Sequence, residues 1–210
     1  EIREAQGKVA YMAESGGLAE RSGIEEFTWL CDLLGFHVAE VGPLPADDPF
    51  RAFLRDSLTR AADLARNLPT TRVFLLSLLA DALPDDPAGE AAAKAALDKG
   101  REIVKGMAPR TSAAPAREGA SLIAGHSVVG IENQTPYHLL VFVLGPEEFY
   151  VRLNPWSRGC AVLKNGSYDN AVIVTREGVT PYRGTRAYQD VARMEGYFIE
   201  RTGGPAPEEE

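Results

Sequence analysis

SVVGIENQTPYHLLVFVLGPEEFYVRLNPWSRGCAVLKNGSYDNAVIVTREGVTPYRGTRAYQDVARMEGYFIE, residues 127–200, is the stretch that decides the fold. Seven short runs rich in Val, Ile, Leu, Phe or Tyr fill it: Ser127–Asn133, Tyr137–Gly145, Phe149–Leu153, Cys160–Leu163, Asn170–Thr175, Thr185–Tyr188 and Arg193–Glu200. Turn residues divide them at Asn133-Gln134-Thr135-Pro136, Gly145-Pro146, Asn154-Pro155, Asn165-Gly166 and Arg183-Gly184. Strands this short, with frequent turn signals, predict a small antiparallel β-sandwich.

The alternation within the runs says which strand is central. Leu139, Val141 and Val143 share one face, and His138, Leu140, Phe142 and Leu144 share the other. Both faces are apolar enough for a central strand, or for a strand covered on one side by helices. In 170–175, Ala171, Ile173 and Thr175 face one way and Val172 and Val174 the other. Asn165-Gly166 is the strongest hairpin signal, because both residues tolerate positive φ.

Residues 1–106 read as helical. Arg3–Glu14 sets Ala5, Val9 and Met12 on one face, and Ser22–Glu25 forms a capping box before Phe27, Leu30, Cys31 and Leu34. A short extended piece is expected over 36–41. Asp48-Pro49 predicts a helix start, with Phe50, Phe53, Leu54, Leu58, Ala61, Ala65 and Leu68 as its apolar stripe and Arg51 off it. Pro69 ends that helix. Thr71–Leu83 is apolar nearly all round and predicts a buried helix, with Leu76 and Leu79 in its core. Asp86-Pro87 repeats the start, and Gly89–Lys105 is rich in Ala. Four or five helices in a small bundle or in hairpins are expected.

Residues 107–120 carry small residues and prolines without apolar period, and read as a linker or a segment draped on a neighbour. The expected organisation is α+β in two domains. A helical domain spans 1–106, a Pro/Ala-rich linker 107–120, an immunoglobulin-like sandwich 121–201 and a disordered acidic tail 202–210. Each half is expected to fold alone, because each has its own apolar set.

Several segments carry a resemblance. Ile131–Thr135, Val141–Pro146, Val151–Pro155, Asn165–Tyr168, Pro181–Thr185 and Gly196–Ile199 together resemble the small immunoglobulin- or transthyretin-like sandwich modules of exported bacterial proteins. Those modules show Asn-x-Thr, Gly-Pro, Pro-Gly and Gly-x-Tyr turns in this order. Trp156 and Ser157 stand where glycine usually follows the proline. The likeness covers roughly the last 75 residues, and none is apparent for 1–106. It implies an extracytoplasmic setting (periplasmic, cell-surface or secreted) and a non-catalytic role in spacing, display or binding.

Composition narrows the classes. The formal net charge is −8, and residues 1–106 carry most of it, with 12 Lys/Arg against 18 Asp/Glu. No block of Lys or Arg occurs, so the basic face that nucleic-acid binding needs is missing. No apolar run reaches membrane-spanning length. Cys31 and Cys160 are too few for a disulfide scaffold and fit no zinc spacing; they read as buried free thiols or as one bridge between the halves. The chain starts at Glu1 rather than Met, which suggests a processed product.

Catalytic and metal constellations are sparse. His37, His126 and His138 form no ligand pair, and only His126 with His138 across a hairpin is conceivable. In Gly125-His126-Ser127 the neighbours point to opposite strand faces. Cys31 sits on an apolar helix face, and Cys160 with either strand histidine has nothing to support it. Glu147-Glu148 reads as solvation of a turn. The triplets at Asn133 and Asn165 read as turn chemistry rather than glycan acceptors. Aromatics remain: Tyr150, Trp156, Tyr168, Tyr182, Tyr188 and Tyr197 lie near strand ends, where rings either plug the core or anchor a ligand.

The reading is a non-enzymatic extracytoplasmic structural or protein-interaction component, with a subunit of a surface assembly as one form of it, and without cofactor, metal or catalytic residues. Its expected binding residues are Trp156, Tyr150, Tyr168 and Tyr182, for a partner or a glycan; the partner class expected is a protein or self-assembly. The alternatives are a carbohydrate-binding module using Trp156, Tyr150 and Tyr168, and a hydrolase with its site between the two domains.

Overall fold

A computed structural model describes residues 45–110, 117–174, 179 and 181–197. The expected helices before residue 45, the 36–41 segment, Cys31, His37 and the 202–210 tail lie outside them.

Among the described residues three helices come first: α1 Phe50–Leu64, α2 Pro69–Ala82 and α3 Pro87–Gly106, with a 3-10 turn at Ala65–Asn67. Leu54, Leu58, Ala61 and Ala65 are buried on the expected stripe of α1, whereas Phe53 sits at its rim. Pro49 stands at the N-cap of this helix, and the Arg51 N–H donates to the Asp48 carbonyl at 3.0 Å. Arg51 is buried after all, because Asp85 and Asp86 lie 2.8 and 3.9 Å from its guanidinium and replace the lost water. Pro69 opens α2 as well as closing the turn before it. Leu79 is buried as expected, but Leu76 is only partly so; Ser77 takes an inner position by donating to the Phe74 carbonyl at 2.7 Å. At α3 the expected cap forms, with Asp86 Oδ1 accepting from the Ala88 N–H at 2.8 Å.

Eight strands follow: β1 Arg117–Ala120, β2 His126–Asn133, β3 Leu139–Leu144, β4 Glu148–Leu153, β5 Arg158–Lys164, β6 Gly166–Ile173, β7 Tyr182–Tyr188 and β8 Val191–Tyr197. They form two packed four-stranded sheets, ordered β1-β8-β2-β5 and β4-β3-β6-β7. Every pair is antiparallel except β2 with β8, which run parallel.

Two features depart from the sequence reading. The end of the presumed linker is strand: β1 pairs with β8, so the sandwich starts before residue 121. Backbone bonds and the Glu118–Arg193 ion pair, at 2.7 Å, hold β1 without any apolar pattern. Asn165-Gly166 makes no hairpin. It carries the chain from β5 in one sheet to β6 in the other, and neither residue has positive φ. Asn165 instead accepts from Ser127 Oγ and the Asp190 N–H, and donates to Asp190 Oδ1, which pins the β5–β6 and β7–β8 connections to the start of β2.

The packing is in three layers. Val129, Ile131, Leu139, Val141, Val143, Leu153, Leu163, Tyr168, Val172 and Tyr188 fill the space between the sheets. The other face of the β3–β6 pair, made by Leu140, Phe142, Ala171 and Ile173, belongs to the same apolar cluster as the helices. On α3, Ala92, Ala96, Gly100 and Val104 are spaced four apart and form the buried row. A Cβ on Gly100 would lie 2.0 Å from the Phe142 ring, so the backbone of α3 rests directly on that ring. Ion pairs rim the contact: Arg152 with Asp81, and Arg101 with Glu148. Arg183 then ties the end of α3 to the sheet, donating to the Met107 carbonyl at 3.0 Å and to Asp169 at 2.7 Å.

Gly100→Ala is expected to destabilise the fold by about 1–3 kcal/mol through overpacking, although Ala is the better helix former. Urea unfolding checks the sign, and a stabilised variant would mean the ring yields. Residues 117–203 expressed alone are expected to expose the Leu140, Phe142, Ala171 and Ile173 face. Dye binding to exposed apolar surface and loss of a sharp melt would register it; a cooperative melt without dye binding would show that the sandwich needs no helices.

Candidate functional site

The β4–β5 connection is built around Asn154-Pro155-Trp156-Ser157. Pro155 fixes its own φ and favours a turn. The Ser157 N–H closes that turn on the Asn154 carbonyl at 3.3 Å, and Ser157 Oγ donates to the same oxygen at 2.7 Å. Trp156 then adopts φ 57°, the left-handed region. For an L-residue this conformation costs roughly 1–2 kcal/mol, which is why glycine usually fills it. The indole gains little burial in exchange, since Trp156 is 68 % exposed.

Asn133 holds the turn in place. Its side chain is buried and donates to the carbonyls of Asn154 and Tyr137, each at 2.7 Å. Its Oδ1 accepts from the Thr135 N–H at 3.0 Å and from Thr135 Oγ1 at 2.8 Å. The Asn133 N–H also donates to the Ser157 carbonyl at 2.9 Å. One asparagine therefore locks the β2–β3 loop to the Trp156 turn. With its amide so committed, Asn133 is a staple and not a glycan acceptor. Strain persists only where the surroundings over-determine it, and here they do.

The four expected aromatics do not converge. Tyr168 is fully buried between the sheets, 5.8 Å from the Tyr188 ring, and its hydroxyl donates to the Lys164 carbonyl at 3.0 Å. It offers no face to a ligand because the core needs its volume. Tyr150 is half-buried against Phe142, ring centroids 5.7 Å apart, and burial pushes its hydroxyl pKa up. Tyr182 is half-buried against Tyr197 at 5.9 Å. Only Trp156 of the four faces water.

The possible catalytic or metal groups lie apart. His126 opens β2, whereas His138 immediately precedes β3 of the other sheet and is buried, edge-on to Phe74. Ser127 Oγ is engaged with Asn165 Oδ1 at 3.1 Å. Cys160 is a free and exposed thiol rather than a buried one. It lies opposite Gly130, four positions along the strand from His126, or about 13 Å. Glu147 turns to Lys164, whose N–H, followed by its ammonium, holds the carboxyl below its usual range; Glu148 turns to Arg101. Among the described residues no three His, Cys, Asp or Glu could share a metal ion, and no helix is long and apolar enough to cross a membrane.

One polar cluster escaped the sequence reading. Glu195, 6 % exposed, accepts from the Tyr188 hydroxyl at 2.8 Å and the Tyr197 hydroxyl at 3.3 Å. Asn170 donates to Tyr188, and Arg186 Nε lies 3.3 Å from Glu195 without hydrogen-bond alignment. Burial first, and then the Glu195 charge, raise the pKa of both Tyr188 and Tyr197. The available signal was Glu195 on the β8 face that also carries Val191 and Tyr197. With each hydroxyl committed to Glu195, the cluster reads as an inter-sheet tie. No family model, curated protein or solved structure matches this chain.

Trp156→Gly is expected to stabilise the protein by about 0.5–1 kcal/mol, since relief of strain exceeds the extra chain entropy. Asn133→Ala is expected to cost about 1–3 kcal/mol by orphaning buried carbonyls. Chemical denaturation measures both, and a clear loss of stability in Trp156→Gly would make the indole a packing plug.

Proposed function

We propose that this chain is a non-enzymatic, extracytoplasmic protein-interaction component whose sandwich displays Trp156 to a protein partner. The observation that carries the reading is an exposed tryptophan in a left-handed conformation, locked by Asn133. Stability alone favours glycine there. A rigid indole that loses little freedom on contact is a suitable anchor for binding. The extracytoplasmic setting rests on the resemblance to exported sandwich modules. The carboxylates at the helix–sheet contact support a role without catalysis, since Asp81, Glu148 and Asp169 are each matched by an arginine. A glycan platform draws less support, because Tyr150, Tyr168 and Tyr182 add no second exposed ring beside Trp156.

A photo-crosslinking phenylalanine derivative at position 156, introduced in the native host, is expected to give a discrete protein adduct. With the captured protein purified, Trp156→Ala is expected to weaken association by more than about 1 kcal/mol. Its melting temperature should stay within a few degrees of the parent. Adducts with polysaccharide alone would favour the glycan reading, and an absence of adducts would remove Trp156 as an anchor.

A further inference from the structure

We infer that the partner facing Trp156 is a second copy of this chain, joined through strand β5. This rests on the reading of Trp156 as a protein-contact anchor and names what it contacts.

The backbone of β5 alternates in direction. The Ser157 carbonyl and the Asn165 N–H point toward β2, accepting from Asn133 and donating to Gly125. The N–H and carbonyl groups of Arg158, Cys160, Val162 and Lys164 therefore point outward from the sheet. β5 pairs with β2 alone, and among the described residues no hydrogen bond reaches the outward groups of 158, 160 or 162. Lys164 is closed off: Glu147 accepts its N–H at 3.1 Å and Tyr168 donates to its carbonyl at 3.0 Å. The open ledge thus runs from 158 to 162, with Cys160 at its centre and Trp156 at its head.

The other sheet edges are less open. β1 has four residues, and the Arg183 carbonyl of β7 accepts from the Arg110 N–H at 2.7 Å. β4 is tied to the helices through Glu148 and Arg152. On β5, no proline or charge guards the middle, where Cys160 is exposed and Val162 is 50 % exposed. An unguarded edge of this kind pairs with another extended strand.

Register selects the occupant. An antiparallel copy aligned about Cys160 sets Arg158 opposite Val162 of the second copy, and Cys160 opposite Cys160. It also sets the Trp156 turn of each copy beside the Lys164 end of the other strand. Alignment about Ala161 would instead oppose Arg158 to Lys164, two like charges. The Cys160 alignment leaves no outward group of the ledge unpaired and needs none from Lys164, which Glu147 already holds. Two sheets then join into one of eight strands.

The test is sedimentation of the full chain over a concentration series under reducing conditions, followed by oxidation with diamide. A reversible dimer is expected, and Val162→Pro, which removes an outward N–H, should weaken it about tenfold or more while keeping a cooperative melt. In the dimer the two Cys160 Cα atoms lie about 5.5 Å apart, within disulfide reach. Diamide, taking one hydrogen from each thiol, should then give a Cys160–Cys160 link identified by peptide mass. Should Val162→Pro fail to fold, Val162→Lys keeps the N–H but faces Arg158 of the copy, and should weaken the dimer similarly. A monomer at every concentration overturns the inference, as does a dimer indifferent to both substitutions or linked elsewhere. A monomer whose position 156 crosslinks to a different protein would overturn the second copy while leaving the interaction reading intact.

Discussion

The ring of Phe142 against the bare backbone of Gly100 is the contact on which the three layers depend. Strand β3 is apolar on both faces, so neither can be left to water. Val141 and Val143 close the sandwich while Leu140 and Phe142 meet the helices. A helix can approach a sheet this closely only where its facing residues are small, and Ala92, Ala96 and Gly100 supply that row. The arginine–carboxylate pairs around the rim fix lateral position. Their exposed members limit what each adds to stability.

The two ends of the sandwich are organised by asparagines in unlike ways. Asn133 bonds across the β2–β3 and β4–β5 connections and holds Trp156 in its strained turn. At the opposite end Asn165 bonds to Ser127 and Asp190, and Asp190 also has positive φ, at 50°. A side-chain amide can donate and accept at once, so one residue satisfies several loop groups that no ladder reaches. The consequence at the first end is an exposed indole on a pinned turn beside an unpaired strand edge. Rigidity there lowers the entropy lost on association, which links the turn chemistry to the proposed role.

Much of the architecture was legible in the residues. Apolar residues on both faces of 139–144 identified a central strand, since a strand covered on both sides is buried almost continuously. Asp86-Pro87 announced α3 through a cap that forms within three residues. The site was legible in part: Trp156 stood out because proline dictates a turn beside it. Tyr168 and Tyr182 could not be told from surface rings, because an aromatic near a strand end serves core and surface equally well. β1 had no apolar signature to find, and Arg51 became buried only through acids more than thirty residues away.

What the sequence determined by itself, then, is what neighbours along the chain can enforce. These are helix periods, strand alternation and the proline turn. Tertiary structure alone decided which strands share a sheet. Asn165-Gly166 has the local chemistry of a hairpin, yet the chain crosses there from one sheet to the other, because β6 finds its apolar partner in β3. The parallel pairing of β2 with β8 and the open edge of β5 follow from that sheet assignment. Neither is encoded in any short window, since both depend on burying two apolar faces of the β3–β6 pair at once.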